Sequence, residues 1–290
     1  MTILKIPRPT GGPFIKGANK SMLSILFIGE INGKIGRRAV QELLPDLIKE
    51  HKPDLVIANA DNLAHGNGVS EPTIKEMLAA GIDAFTGGDH CFGNTAYLNL
   101  YDSGLPLLRP ANYSKSAPGK GQMIIEKSGH KILLASLIGQ VFMSADHDSP
   151  FHEADNILSN LANKNISAII IDMHAEATSE KIALGHFLDG KVSAILGTHT
   201  HVMTADARIS PAGTALITDT GLTGLADGVI GVEKDGIIKT FLTQIKTPHV
   251  IPESGHAVLN AVALTINPKT KKAVTLKPIT KYINIINSPR

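Results

Sequence analysis

Short apolar runs alternate with segments of helical spacing along most of the chain. Apolar runs of strand length cover 23–29, 54–59 and 83–87. Between them, apolar residues recur every three or four positions over 35–50 and 70–80, as on one face of a helix. This β-α-β-α-β order predicts a sheet with parallel strands and helices packed on its faces.

The second half of the chain continues the alternation less regularly. The spacing predicts helices over about 151–163 and 177–188, and strands over 131–138, 167–173, 192–197 and 214–218. The mixed order favours two sheets facing each other in an α/β sandwich. The last forty residues alternate apolar and polar positions and predict edge strands.

Residues 1–21 differ from the rest because they mix Lys and Arg with Pro and Gly and show no strand or helix period. They lack the continuous apolar stretch of a secretory signal. We expect residues 1–21 to form an N-terminal extension, mobile or laid on the surface. We expect residues 22–290 to form a single domain, because no change of composition marks a boundary within them.

Composition narrows the class of function. The 28 basic and 26 acidic side chains leave a formal net charge of +2, so stable nucleic-acid binding is not expected. A single Cys excludes an internal disulfide framework and a thiolate zinc site, and it fits a reducing, cytoplasmic location. No run approaches 18 apolar residues, so no membrane contact is expected. The 12 His residues raise the question of a metal centre.

Polar residues follow five of the predicted strands. In sheets of this type, ligands gather outside the carboxyl ends of the strands, so these side chains should meet at one edge. In chain order, the strand ends carry Glu30, then Asp61 with Asn62, then Asp89 with His90, then His174, and finally His199 with His201.

The pair His199 and His201 is the most suggestive of these. In extended backbone, residues two apart point the same way and lie about 6.6 Å apart. Two imidazoles so placed can bind one metal ion or two neighbouring ions. A solvent-facing ladder would give the same pattern, so the pair carries weight only together with the other strand ends.

These strand ends supply three carboxylates, one amide and three imidazoles besides His90. About seven ligands are too many for one tetrahedral ion and suit two ions that share a bridging carboxylate. Paired metals recur in phosphoryl hydrolysis, where they make a hydroxide at neutral pH and bind the phosphoryl oxygens. Mixed nitrogen and oxygen ligands suit Mn, Fe or Zn.

Several stretches make the pattern more specific. The chain resembles the YmdB-like bacterial metallophosphoesterases from about residue 22 to about residue 242, most distinctively in HAEATSEK and GTHTH, and also in GEINGKIGRRAVQELLP, DNLAHGNGVS and GGDHCF. The resemblance implies a calcineurin-like fold, a four-layer α/β/β/α sandwich with a dinuclear metal site at the carboxyl ends of the strands. It also implies hydrolysis of phosphodiesters, with 2′,3′-cyclic nucleotides as the substrate class.

The resemblance also implies roles for the residues at the strand ends. His90 would be the general acid that protonates the leaving alkoxide, or an electrostatic stabiliser of the transition state. Asp61 would bridge the two divalent ions. One ion would be held by Glu30, Asp61, Asn62 and His201, and the other by Asp61, Asp89, His174 and His199.

Three positions depart from the family pattern. Glu30 stands where Asp is usual and Asp61 where Glu is usual, and these two changes offset each other. Asp89 stands where Asn is usual, so it adds a negative charge that should favour metal binding but weaken Lewis acidity. We therefore expect slower turnover, or preference for another ester.

Other interpretations stay open at this stage. The protein could be a metal-binding regulatory protein of the same fold with weak or lost catalysis. The same ligands could also serve hydrolysis of amide bonds, although no HExxH helix is present. Asn112, after Arg109 and Pro110, could contact substrate or shape a turn. Homo-oligomerisation is left open.

Overall fold

The computed structural model describes residues 3–5, 22–161 and 164–286. Its first half contains β1 (Ile3–Lys5), β2 (Leu23–Ile28), β3 (Glu30–Ile31), α1 (Gly33–His51), β4 (Leu55–Asn59), α2 (Glu71–Ala80), β5 (Ala84–Thr86), a 3-10 helix (Thr95–Asp102), β6 (Gln122–Lys127) and β7 (His130–Ile138). Its second half contains α3 (Pro150–Ser159), β8 (Ala168–His174), α4 (Thr178–Phe187), β9 (Ala194–Thr198), β10 (Arg208–Ile209), β11 (Ala215–Ile217), β12 (Leu222–Leu225), α5 (Lys234–Thr243), β13 (Gly255–Ile266) and β14 (Ala273–Ile285).

The described strands form two sheets of seven strands each. The first has the order β3-β12-β13-β2-β4-β5, with β14 paired to β13, and β2, β4 and β5 run parallel. The second has the order β1-β6-β7-β8-β9-β11-β10, and β7, β8, β9 and β11 run parallel. The predicted parallel strands are confirmed in both sheets.

Side chains that alternate along the strands build the layers. In β2, Ile25 and Phe27 belong to a core shared with Ile132 and Leu134 of β7, so the two sheets face each other. The alternate residues Leu26 and Ile28 pack in a different core, which contains residues of α1 and α2. A third core lies between α3, α4 and the outer face of the second sheet. The order of layers is therefore α/β/β/α, as the resemblance implied.

The ends of α2 follow from local sequence. Ser70 accepts a hydrogen bond from the Thr73 amide, and the Thr73 hydroxyl accepts one from the Ser70 amide. Gly81 ends the helix in the left-handed conformation, with φ of 109°, which costs glycine little. The predicted helix over 70–80 is confirmed.

The structure adds a strand near the start of the chain and corrects the expectation for its last forty residues. Within the predicted N-terminal extension, Ile3–Lys5 form a strand that pairs in parallel with β6, although the segment has no strand period. The rest of residues 1–21 lies outside the described part of the chain. The C-terminal strands are not both at an edge, because β13 pairs with β2, β12 and β14.

In the described part of the chain, no helix combines the length and the hydrophobicity that crossing a bilayer requires.

Candidate metal centre

The carboxyl ends of strands from both sheets meet at one place. The first sheet brings residues from β3 and from the loops after β4 and β5, and the second brings residues from the end of β8 and the loop after β9. All eight predicted site residues lie in this cluster: Glu30, Asp61, Asn62, Asp89, His90, His174, His199 and His201.

Glu30 and Asp61 are the buried carboxylates of the cluster, each 1% exposed. Glu30 accepts hydrogen bonds from Asn62 Nδ2 at 3.1 Å and from the His199 amide at 2.9 Å. Asp61 accepts from the Gly88 amide at 2.6 Å, and His90 Nδ1 lies 2.9 Å from Asp61 Oδ2. These contacts join the first sheet to the loop after β9.

Asp89 lies among three imidazoles. Its Oδ1 is 2.9 Å from His174 Nε2, 3.5 Å from His199 Nδ1 and 3.4 Å from His90 Nδ1. In the described residues, three groups bring donor atoms within 4.8 Å of one another: Asp89, His174 and His199; Glu30, Asp61 and His174; and Asp61, Asp89 and His90. The cluster therefore offers overlapping sets of potential metal ligands.

His174 is fully buried, and its orientation is fixed from behind. The Thr198 hydroxyl donates to Asp172 Oδ1 at 2.8 Å, so it accepts from Nδ1 of His174 at 3.0 Å. Asp172 also accepts from Asn59 and from the Thr86 hydroxyl. Nε2 of His174 is left to face the carboxylates.

His199 and His201 reach the cluster by a different route from the one expected. β9 ends at Thr198, and both residues have positive φ, 98° and 65°, so the backbone here is bent and not extended. His201 Nδ1 donates to the Ile230 carbonyl at 2.7 Å, and its Nε2 lies 3.3 Å from Glu30. His199 Nε2 lies 3.3 Å from Glu176, and its Nδ1 faces the cluster.

The mutual charges shift the pKa values of the cluster strongly. Hydrogen bonds to Asp61 and Asp89 raise the pKa of His90 to about 11. Burial opposes charge on His174 and His201, yet the neighbouring carboxylates raise the pKa of each to about 9. Burial would raise the pKa of Glu30, but His201, His174 and His199 hold it well below its usual range.

The pKa of Asp89 is likewise depressed, since hydrogen bonds from His174, His199 and His90 outweigh its burial. Positive imidazoles thus balance the carboxylates of the cluster. A divalent cation placed among the same atoms would serve that purpose instead.

Glycine at position 88 permits close packing in the cluster. A Cβ on Gly88 would lie 2.2 Å from His174 Nε2, far inside contact distance. Only a residue without a side chain lets the backbone pass this close to the imidazole.

A buried ion pair holds the GTHTH loop. Lys181 Nζ donates to the Thr198 carbonyl at 2.7 Å and to Asp219 at 3.1 Å. Asp219 also accepts from the amide and the hydroxyl of Thr200. Lys181 and Asp219 are each 1% exposed, so the pair is part of the interior beneath the two histidines.

Asn112, the candidate for substrate contact, is structural, and so is Arg109. Asn112 donates to the Ile138 and Asp148 carbonyls, and its Oδ1 accepts from the Ile138 amide. The Arg109 guanidinium donates to the carbonyls of Pro110 and Pro118. Both side chains are nearly buried, and they fix the loop between β5 and β6.

Sequence reasoning missed the residues that support the imidazoles: Asp172, Thr198, Glu176, Lys181 and Asp219. Asp172 could have been noticed, because a carboxylate inside the apolar run SAIIIDM must have buried partners. The pairing of Lys181 with Asp219 spans 38 positions and leaves no local pattern.

A cavity of about 590 Å³ opens onto the cluster. Asn62, His90, His199 and His201 form one part of its lining. The remainder comes largely from segment 229–251, between β12 and β13. The cluster can therefore be reached by a ligand of drug or nucleotide size.

The layered fold, with carboxylates and imidazoles gathered where strands of both sheets end, defines a calcineurin-like metallophosphoesterase. A family model described as "YmdB-like protein" matches residues 26–279. The chain belongs to this family.

Known proteins resemble the chain over nearly their whole length. It is 42% identical over 257 residues to a 2′,3′-cyclic-nucleotide 2′-phosphodiesterase of Bacillus subtilis (strain 168), covering 89% of this chain and 96% of that protein. A crystal structure of a hypothetical protein from Thermus thermophilus superposes with a TM-score of 0.83 at 37% identity, covering 90% of this chain and 99% of the other. A crystal structure of a phosphatase from Mycoplasma pneumoniae gives a TM-score of 0.85 at 31% identity, covering 91% and 95%.

Proposed function

We propose that the protein is a metal-dependent phosphodiesterase that hydrolyses 2′,3′-cyclic nucleotides. The observation that carries the proposal is the cluster itself, in which His90 stands beside overlapping sets of metal-ligand atoms at the mouth of a cavity. The activity for which the Bacillus subtilis relative is named supports the substrate class. Residues 22–290 act as one domain in this proposal, because both sheets contribute to the cluster.

The donor set fits two divalent ions. Carboxylates and imidazoles without thiolate suit Mn, Fe or Zn, and the buried carboxylates need positive charge nearby. Glu30, Asp61, Asn62 and His201 would hold one ion, and Asp61, Asp89, His174 and His199 the other. When bound, such ions withdraw charge from a phosphoryl group and lower the pKa of attacking water.

His90 is the proton donor in this proposal. Its Nδ1 faces Asp61 at 2.9 Å, so Nε2 is the nitrogen left for a substrate. His90 lines the cavity and is partly exposed, while Asp61 is buried. Asp61 therefore fixes the orientation of the ring, and His90 can give the proton on its other nitrogen to a leaving oxygen.

The proposed reaction balances with water alone. The oxygen of water bonds to phosphorus, and the bond from phosphorus to O2′ breaks, with its electron pair leaving on O2′. That oxygen takes the proton from Nε2 of His90 and becomes a hydroxyl. The attacking water releases a proton to solvent, and the imidazole of His90 takes up a proton from solvent. The product is a nucleoside 3′-monophosphate.

The experiment is hydrolysis of adenosine 2′,3′-cyclic monophosphate by the protein loaded with Mn²⁺, Fe²⁺ or Zn²⁺. We expect turnover in the wild type and a loss of about 10²- to 10⁴-fold in kcat for His90→Ala. His130→Ala is the matched control, because His130 lies at the opposite end of β7 from the site.

Metal content measured on the same samples separates the alternatives. A protein that binds metal but turns over no diester would instead be a regulatory member of the fold. Asp89→Asn tests the extra negative charge, and we expect weaker metal binding with faster turnover per bound ion. No metal after loading under replete conditions would contradict the proposal.

A further inference from the structure

The cavity beside the metal-ligand cluster has a large apolar part. We call it the apolar wall and define it by Val229, Ile230, Val232, Ile237, Phe241 and Ile251. It meets the loop that carries Asn62, since a Cβ on Gly66 would lie 2.2 Å from Ile251 Cδ1. Phosphate and metal ions are charged and gain nothing from contact with apolar side chains. The apolar wall therefore suits a different, less polar part of a ligand.

Phe241 is the aromatic residue of the apolar wall. It lies on α5, a helix with no buried residue among its described positions, and its side chain is 81% exposed. An aromatic ring costs free energy when it is left in water beside a cavity. Its neighbour Leu242 is as exposed but does not line the cavity.

Asn32 adds a polar group to the same cavity. Its side chain is 2% exposed and does not cap α1, although Asn32 is the N-cap residue of that helix. Among the described residues, no group donates a hydrogen bond to Asn32 Oδ1. A buried acceptor without a donor costs about 1–3 kcal/mol, and a ligand with an N–H or O–H group would supply the missing bond.

We propose that the apolar wall and Asn32 form a subsite for the nucleoside part of the substrate. The base stacks on Phe241 and contacts the aliphatic side chains, and a nucleoside donor bonds Asn32 Oδ1. A planar, largely apolar ring next to a phosphate is what a wall of this composition next to a metal-ligand cluster accommodates. The cavity volume of about 590 Å³ lies in the usual range for small-molecule sites.

This inference rests on the proposed function, because it takes the phosphate of the nucleotide to lie at the cluster. It adds that the protein selects diesters that carry a base. A baseless diester such as glycerol 1,2-cyclic phosphate offers the same five-membered ring to the cluster and nothing to the apolar wall.

The first test compares kcat/KM for adenosine 2′,3′-cyclic monophosphate and for glycerol 1,2-cyclic phosphate. Stacking of a base on an aromatic ring contributes ~1–3 kcal/mol, so Phe241→Ala should lower the ratio of the two values about 5- to 150-fold. Leu242→Ala, one position along α5, should leave the ratio unchanged. A ratio that Phe241→Ala does not lower would overturn the subsite.

The second test does not depend on catalysis. Binding of adenosine and of ribose to the protein is measured by calorimetry, and adenosine should bind while ribose does not. Asn32→Ala should weaken adenosine binding without lowering the melting temperature, because none of the described residues donates a hydrogen bond to Asn32 Oδ1. A structural Asn32 would give the reverse, a lower melting temperature with unchanged binding.

The two proposals can fail separately. If neither diester is hydrolysed, the proposed function fails, and adenosine binding that Phe241→Ala weakens still supports the subsite. If both diesters are hydrolysed with equal kcat/KM and adenosine does not bind, the subsite fails and the phosphodiesterase stands. A change in oligomeric state on Phe241→Ala, with no change in adenosine binding, would assign the wall to contact between copies of the chain.

Discussion

The hydroxyl of Thr198 lies 3.0 Å from Nδ1 of His174. Since that hydroxyl gives its own proton to Asp172, it can only accept from His174. The imidazole is thereby held with Nδ1 protonated and Nε2 directed at Asp89. Histidines that bind metals are commonly oriented by a hydrogen bond from their other ring nitrogen. In this protein the acceptor is the Thr198 hydroxyl, which is itself hydrogen-bonded to the buried carboxylate of Asp172.

Thr198→Val tests this relay. Valine matches the shape of threonine but cannot accept from His174, so the imidazole loses its fixed tautomer. We expect metal affinity or turnover to fall about 10- to 100-fold. Thr198→Ser keeps the hydroxyl and should retain most of both, whereas equal values for the two variants would show that the relay has no effect.

Metal should also stabilise the fold, because the cluster joins the two sheets. A ligand present at about 100 times its Kd contributes ~2.7 kcal/mol, which corresponds to a rise in melting temperature of about 4–5 °C for a chain of this size. We expect this rise on adding Mn²⁺ or Zn²⁺ and its reversal by a chelator. His201→Ala should shrink the rise and His130→Ala should not. Identical melting curves with and without metal would contradict a resident ion.

Much of this site could be predicted because it lies where apolar runs end. The parallel strands at the centre of each sheet are buried on both faces. Each therefore appears in the sequence as a continuous apolar run, such as DLVIAN or SAIIIDM, and the end of the run marks the end of the strand. Parallel strands then place their last residues at one edge, whatever the separation in sequence. Every residue that we propose as a metal ligand follows the end of such a run.

The missed elements lack such a signal. β3 has only two residues and β12 only four, and both are defined by pairing with distant strands. α5 buries no residue against the body of the protein, so its apolar positions do not form a single core-facing stripe. The Thr and Asn residues within β13 suggest an edge strand, although β13 lies inside its sheet. The Asn260 side chain is accommodated there because it is hydrogen-bonded to Leu222 and Thr280.

Gly88→Ala should damage the cluster without touching a ligand. The added methyl would overlap His174 Nε2, so either the imidazole or the loop after β5 must move. We expect at least about a 10-fold loss of metal affinity, in line with displacement of a fixed ligand. Gly129→Ala is the control: its Cβ meets nothing within 4 Å, and only its φ of 80° adds backbone strain of about 1–2 kcal/mol. Metal affinity equal to that of the wild type in Gly88→Ala would show that the loop after β5 can move without disturbing the cluster.

Lys181→Met should be among the most destabilising single changes in the chain. Methionine replaces the aliphatic part of the side chain but leaves the Asp219 carboxylate buried with one partner fewer. Loss of one member of a buried pair costs about 3–5 kcal/mol, measured as the free energy of unfolding in denaturant. Lys75→Met is the matched control, since Lys75 pairs with Glu71 on the surface of α2 and such pairs contribute about 0.3–0.5 kcal/mol.

The double variant Lys181→Met with Asp219→Asn separates charge from packing. If the cost comes from the unpaired carboxylate, the neutral amide should recover part of the lost stability, and the cycle should show a coupling energy above ~0.5 kcal/mol. Metal affinity should recover less, because Lys181 also holds the Thr198 carbonyl directly before His199. Strictly additive costs would mean that the two side chains act independently, and that the loop of His199 and His201 is held by its other contacts.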